Sequence, residues 1–363
     1  MKKILLISNM VMHYRVSIYN YFSRRFKEYG WEFIVRSNKL QSENPYQLEF
    51  DFKEIEFKFN KYKSEIERIN PDVVILFLHL KDFIIWPLVH WLNFRKIPIV
   101  NWNKGANLDD PNSKLKHHLF NYIHNKCDGI ILYSKHEMKF IKEKNRHKVT
   151  VANNTINFED FPEIQQSKEQ IKKEFGIPFK KVVLSVGRMG VGGGRKKIHH
   201  LIEIFNDIKT REIGLVIVGA GVEDHLLKKM NRDNTMYLGE IYDPKNIQIS
   251  KIFKMADLVS IPGHVGLGLV HAFYWGLPVV TEDGLQPPEI HYLINGRNGF
   301  IVPNNNIYEL KEKILYLLKN NDVREHFSQN ARSDILNNAS INSMFMGFKN
   351  CIDPLMRSKK SIS

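Results

Sequence analysis

With 363 residues, 43% of them hydrophobic and 12% aromatic, the chain can fill two packed cores, and its composition excludes a wholly disordered protein. The formal net charge is +14, concentrated early: residues 1–150 hold 26 Lys and Arg against 16 Asp and Glu, pointing to an anionic partner or a solvated basic face. Two cysteines, Cys127 and Cys351, rule out a disulfide framework or a zinc site made by cysteine alone and suit a reducing cytosol, and no apolar run is long enough to span a membrane.

The chain opens on KKILLISN (2–9), a buried strand rather than a signal segment because the apolar run ends at Ser8. A helix follows from Arg15, then strands WEFIVRS (31–37), FDFKEIEFKF (50–59), PDVVILFL (71–78), IPIVNWN (97–103), GIILYS (129–134) and KVTVAN (148–153). Helices are expected over 81–96, 113–127 and 135–144. Short apolar strands alternating with helices imply a parallel sheet covered on both faces. The segment 81–96 carries two tryptophans and a basic end, which fits either a lipid-facing surface or a helix packed between strands.

Residues 153–170 are polar and turn-rich, and the domain boundary is placed near 155–170. The rhythm then restarts with strands at 181–187, 214–221, 235–239, 256–262, 277–283 and 299–303, and the C-terminal third is helical. The expected fold is therefore α/β: two Rossmann-like doubly wound domains facing a cleft, with a helical C-terminus. In such sheets ligands bind beyond the carboxyl ends of the strands, and with two domains the site is expected between them.

Two segments of the second half carry chemistry. In SVGRMGVGGGRKKIHHLI (185–202) a strand ends at Gly187, and Arg188, a glycine-rich loop and Arg195, Lys196 and Lys197 follow before a helix. Glycines allow close backbone approach to an anion, a helix start offers free N–H groups, and Arg and Lys add charge. That is the outline of a diphosphate site, although the Walker pattern is absent. For Arg195 and Lys197 a basic surface loop is the alternative. In PGHVGLGLVHAF (262–273) a second glycine-rich turn enters a helix with no carboxylate, its ionisable side chains being His264 and His271.

Residues 256–303 resemble the donor-binding half of GT-B glycosyltransferases, specifically the retaining family-4 group (glycosyl transferases group 1). Gly266-Leu267, Ala272, Gly276, Pro278-Val279-Val280, Pro288-Glu289-Ile290 and Asn298-Gly299 keep that group's spacing. Arg188 and Lys196 resemble its G-R-x-K-G signature with an enlarged loop, IPIVNWNKG resembles its first-domain strand that usually ends in H-G, and TMYLGEI resembles the strand beside the nucleobase. The similarity is strong over 180–303 and weak over 1–95. The two glutamates usual in the group align with Gly263 and His271, Lys104 stands where a histidine is usual, and NMVMHYR (9–15) replaces a glycine-rich loop. The chain matches a branch reading P-G-x-V-G-L-x-x-x-H-A, a variant that lacks the two-glutamate motif.

The resemblance implies an acceptor-binding domain over 1–160, a nucleotide-sugar donor domain over 161–340, and a C-terminal helix with a basic tail over 341–363 that returns to the first domain. It implies sugar transfer from a nucleotide diphosphate donor, UDP-sugar favoured, to a glycan or polyprenyl-lipid-linked hydroxyl, with retention, in bacterial surface polysaccharide assembly. No metal or other cofactor is expected. Arg188 and Lys196 are the expected catalytic charges. Gly187, Gly219, Leu238, Gly239, Gly263, His264, Gly266, Leu267, His271 and Glu289 are expected on the donor, and His13, Tyr14, Arg15, Asn103 and Lys104 on the acceptor side. His271 fits either the ribose or a core position, Glu289 either the donor sugar or the helix dipole, and Glu282 is a further replacement for the lost ribose ligand. The expected location is the cytoplasm, with peripheral contact to the inner membrane face through the basic half. A catalytically silent nucleotide-sugar-binding partner is the alternative. A nucleic-acid binder ranks last, because the basic groups are not interleaved with aromatics in an RNA-reading pattern.

Overall fold

The computed structural model describes residues 1–42, 44–108, 110, 112–189 and 195–357. The chain forms two compact units, one built from residues 1–158 together with the segment from Ser340 onward, the other from Glu159–Ala339.

The first unit holds a seven-stranded parallel sheet of β1 (Lys2–Val11), β2 (Trp31–Leu40), β3 (Asp51–Glu54), β4 (Val73–Phe77), β5 (Ile99–Asn103), β6 (Gly129–Leu132) and β7 (Val149–Val151). Their order is β3-β2-β1-β4-β5-β6-β7, so the winding reverses between β1 and β4. Alternate residues of β1 enter different cores: Ile4 and Leu6 join one cluster, Leu5 and Ile7 the other. This two-sided burial is why the strand reads as a continuous apolar run. The C-terminal helix Ile341–Arg357 packs into the first cluster, with Phe348 4.8 Å from the rings of both Phe22 and Trp102.

The second unit repeats the plan with β8 (Lys181–Val186), β9 (Ile213–Val218), β10 (Thr235–Tyr237), β11 (Leu258–Ser260), β12 (Val279–Glu282) and β13 (Gly299–Val302). All pairings are parallel, the order is β10-β9-β8-β11-β12-β13, and the reversal falls between β8 and β11. Both sheets are therefore doubly wound, as the alternation of strands and helices predicts.

Two local readings are corrected. FDFKEIEFKF is a strand only over Asp51–Glu54, and Phe59 begins a helix to Ile69 that buries Tyr62, Glu65, Ile66 and Ile69. The alternation of Phe and Ile with charged residues masked this change of period. Residues 135–144 are not one helix but 3₁₀ turns, Lys135–Phe140 and Glu143–Lys148, the first held by a Ser134–Glu137 capping box. The 81–96 segment forms the helix Ile85–Phe94, which buries Ile85, Leu88, Val89 and Leu92 and leaves Phe94 exposed.

Candidate functional site

Three adjacent strands of the second unit end in glycines with left-handed or related backbone: Gly187 after β8 (φ 135°), Gly219 after β9 (φ 130°) and Gly239 after β10 (φ 72°). The Gly219 N–H donates to the Gly239 carbonyl (2.8 Å), the Gly187 N–H to the Val218 carbonyl (3.0 Å) and the Leu238 N–H to the Ile217 carbonyl (3.0 Å). A Cβ on Gly219 would overlap the Gly187 carbonyl oxygen, so only glycine allows these chains to lie so close. The result is a terrace of bare backbone at the carboxyl edge of the sheet, where doubly wound sheets bind ligands. Arg188 stands exposed at its margin, with no ion-pair partner among the described residues.

The PGHVG turn lies against the other side of this edge. The Gly263 N–H donates to the Lys196 carbonyl (3.1 Å) and the His264 N–H to the Arg195 carbonyl (2.6 Å). A Cβ on Gly263 would overlap the Arg195 carbonyl oxygen. The turn is braced from below by Gln286, which donates to the Gly263 carbonyl (3.0 Å) and accepts from the Val265 N–H (3.0 Å), and by the buried Thr281 hydroxyl on the Ile261 carbonyl (2.6 Å). Gly266 (φ 58°) then turns the chain into the helix Leu267–Tyr274.

Lys196 reaches into this frame. Its Nζ donates to the Val265 carbonyl (2.8 Å), beside Gly187, where an added Cβ would stand 3.0 Å from the lysine Cε. Burial lowers its pKa to about 8, an effect only partly opposed by the Glu289 carboxylate. Glu289 is buried at the start of the 3₁₀ turn Pro288–Tyr292. Lys196, Gly187, the Leu267–Tyr274 helix start and Glu289 thus form one cluster, while the glycine-rich residues 190–194 lie outside the described residues.

Lys197 is spoken for. Its ammonium donates to Glu282 Oε2 (2.6 Å), Asn304 Oδ1 (2.5 Å) and Asn305 Oδ1 (2.8 Å). The buried Glu282 carboxylate also meets His200 Nδ1 (2.5 Å) and accepts from the Asn305 N–H (2.8 Å). Burial raises its pKa, but the hydrogen bonds from Lys197, the Asn305 N–H and His200 outweigh that and hold it below the usual value. This corrects the reading of Glu282 as a ribose ligand: its oxygens are committed to the chain itself. Lys197 is correspondingly not a loose surface cation.

His271 is buried, its ring stacked on Phe253 (centroids 3.8 Å apart, 24° between planes) and met edge-on by Phe161 (5.1 Å). Burial pushes its pKa down to about 3, so the ring is neutral at physiological pH. His264 is half-buried beside Gly266.

The first unit collects its own candidates where β1, β4, β5 and β6 end. Arg15, 2% exposed, lies over the rings of Trp102 (4.5 Å), Tyr14 (5.2 Å), Phe77 (5.5 Å) and Tyr133 (5.8 Å) and donates to the Tyr133 hydroxyl (3.3 Å). His13 meets Gln41 Oε1 through its N–H (3.1 Å) and ring (3.0 Å). Asn103 is tied to Asn101, to His124 Nε2 (3.3 Å) and to the Gly105 N–H (2.5 Å), and Lys104 is half-buried beside it. Sequence reasoning missed Gln286 and Thr281, which lie about twenty positions along the chain from the turn they brace, and His200, whose partner Glu282 is 82 positions from it. Among the described residues, no group of three or more His, Cys, Asp or Glu side chains is placed to hold a metal ion.

Two doubly wound sheets, with a C-terminal helix completing the first unit, define the GT-B type of fold. Residues 167–334, which lie within the second unit, match the family model described as glycosyl transferases group 1. An uncharacterized glycosyltransferase of Methanocaldococcus jannaschii is 24% identical over 318 residues, 82% of this chain and 78% of that one. The poly(ribitol-phosphate) alpha-N-acetylglucosaminyltransferase of Staphylococcus aureus is 25% identical over 260 residues, 69% of this chain and 49% of its own. Among solved structures, Anabaena HepE in complex with UDP superposes with a TM-score of 0.77 at 13% identity, covering 98% of this chain and all of that one.

Proposed function

We propose that the protein transfers a glycosyl group from a UDP-sugar to a hydroxyl of a glycan or lipid-linked glycan, with retention, in surface polysaccharide assembly. The carrying observation is the cluster of Lys196, Gly187 and the Leu267–Tyr274 helix start at the carboxyl edge of the second sheet. It offers a cation, bare backbone and helix N–H groups to one anion. Structures of the similar HepE with UDP and with UDP-glucose support UDP as the first donor to test, and the staphylococcal relative supports a polymer acceptor.

In this reading the bond between the anomeric carbon and the diphosphate oxygen breaks as the acceptor oxygen bonds that carbon, and the acceptor proton passes to the leaving phosphate. Arg188 and Lys196 stabilise the departing diphosphate, the place where fixed charge lowers the barrier most. No protein base and no metal are required. Leu238, Gly239 and Gly219 border the nucleoside, His264, Gly266 and Leu267 the diphosphate, and Glu289 the sugar. His13, Tyr14, Arg15, Asn103 and Lys104 serve the acceptor. A thermal-shift and calorimetric screen of UDP-, GDP-, dTDP- and CMP-sugars tests the reading. One donor should stand apart and lose its effect in Arg188→Ala, whereas equal stabilisation by all diphosphates would overturn it.

A silent donor-binding partner is the second reading. Gly263 and His271 stand at the two positions without carboxylates, and the His271 ring is taken up in aromatic packing. Donor hydrolysis that disappears in Arg188→Ala would remove this reading. We further propose a cytoplasmic enzyme that touches anionic membrane peripherally. The support is the exposure of Phe83 (83%), Phe94 (82%) and Leu115 (71%) near Lys81, Arg95, Lys96, Lys114 and Lys116. Among the described residues no helix is long and apolar enough to cross a membrane. Co-sedimentation with phosphatidylglycerol vesicles, lost in Phe83→Ser/Phe94→Ser, tests that contact.

A further inference from the structure

Lys197 has an unusual backbone for a side-chain-bearing residue: φ 51° and ψ 41°, in the left-handed region. It occupies the position before the helix Ile198–Asp207 and directly follows Lys196, so its dihedrals decide where the Lys196 peptide points. Non-glycine residues hold that conformation only when the surroundings over-determine it. Here they do. The Lys197 ammonium fills its three donor positions with Glu282, Asn304 and Asn305, and His200, one turn into the same helix, holds the other carboxylate oxygen of Glu282.

Glu282 grips the opposite wall as well. Its own N–H donates to the Pro262 carbonyl (3.0 Å), and its carbonyl accepts from Gln286 (2.9 Å), the side chain that also carries Gly263 and Val265. One residue at the end of β12 therefore ties together the turn that receives Lys196 and the helix start from which Lys196 is projected.

We propose that Lys197, Glu282 and His200 form a latch whose role is to hold the left-handed turn at Lys197 and thereby fix the Lys196 ammonium in the diphosphate cluster. Lys197 and Glu282 are positioning residues: their charges are spent on each other, and neither touches the donor. The latch deepens the UDP-sugar reading and rests on it.

Lys197→Gly and Lys197→Ala separate this role from the alternatives. Both remove the ammonium, but only glycine adopts the left-handed turn freely. UDP affinity is measured by calorimetry for the full chain, with thermal denaturation alongside. Lys197→Gly is expected to keep UDP binding within about threefold of the parent, while Lys197→Ala weakens it about tenfold or more; both melt at lower temperature. Equal weakening in the two variants would make the ammonium a direct phosphate ligand and overturn the latch. Unchanged affinity in both, with only the melting temperature lowered, would reduce the cluster to a stabilising contact and also overturn it. If Lys197→Ala does not fold, Glu282→Gln and Glu282→Gln/Lys197→Gly replace it: the single variant should weaken UDP and the double should recover it, and no recovery overturns the latch. A parent protein that binds neither UDP nor any UDP-sugar would instead refute the donor reading, a result separable from all of these.

Discussion

The Lys196 ammonium donates to the Val265 carbonyl at 2.8 Å, and burial there brings its pKa down to about 8. The charge expected to meet the diphosphate is thus partly lost in mildly alkaline solution. Below pH 8 the ammonium is charged and donor affinity is full; as pH rises through 8 toward 9.5 the affinity should fall, where an ordinary lysine would stay charged to about pH 10.4. Binding at pH 8.5 should take up protons, seen as a dependence of the calorimetric heat on buffer ionisation enthalpy. A flat affinity from pH 7 to 9.5 would remove Lys196 from the site.

Arg188 and Lys196 should differ in what their loss does. Arg188 is exposed beyond β8, so Arg188→Ala should leave the melting temperature unchanged while lowering kcat/KM about a hundredfold, the scale on which a single transition-state electrostatic group acts. Lys196→Ala should lower kcat/KM at least as far and also disturb the fold, since it empties a packed site beside Gly187. Steady-state kinetics with thermal denaturation checks both.

The doubly wound sheets were legible because their strands are buried on both faces and read as short apolar runs, as at Ile4–Ile7 and Val182–Leu184. The helix Phe59–Ile69 was not: Phe59, Tyr62, Ile66 and Ile69 keep helical spacing, but the strand-like alternation of residues 50–59 runs straight into its first residue and hides where it begins. In the candidate site, Gly187 and Gly263 stand out because each sits in a glycine-rich turn after a strand, and Lys196 is singled out from Arg195 and Lys197 by the resemblance to the G-R-x-K-G signature. What each cation does was not legible. Lys196 and Lys197 are neighbours in sequence, yet one faces the cluster and the other closes on Glu282, 85 positions on. That choice is made by a left-handed backbone and a distant strand end, neither of which leaves a local pattern.

Gly263 has a sharper requirement than flexibility. Its N–H binds the Lys196 carbonyl, and a Cβ would overlap the Arg195 carbonyl oxygen. Gly263→Ala should push the 195–196 peptide away from the turn and cost UDP affinity about tenfold or more, whereas Gly296→Ala is a control with open space around its Cβ position. Gly296 carries a positive φ, so the control should lower stability slightly while leaving UDP affinity alone. Calorimetry on the two variants separates a steric effect at the site from a general one. Equal UDP affinity in the two would show that the contact does not position Lys196.

His271 and His124 make acid stability the last test. Burial holds His271 at about pKa 3 and His124, in the other unit, at about 4, against 6.5 for an unfolded histidine. Between those values the unfolded chain binds more protons, so stability is full above about pH 6.5 and declines as pH falls from there toward 4. Glu65 acts in a lower window: hydrogen bonds from Arg68, opposed by burial and reinforced by Arg36, bring it to about 2, so its contribution is lost only as pH drops below 4.5. Urea midpoints at pH 7, 6.3 and 5.5 should therefore fall stepwise while ordinary carboxylates are still mostly ionised. His271→Phe keeps a ring between Phe253 and Phe161 and should flatten the pH 7 to 5.5 decline of the second unit. If His271 also serves the donor, the same variant should weaken UDP at pH 7 despite its retained packing; unchanged affinity in the folded variant would confine His271 to the core.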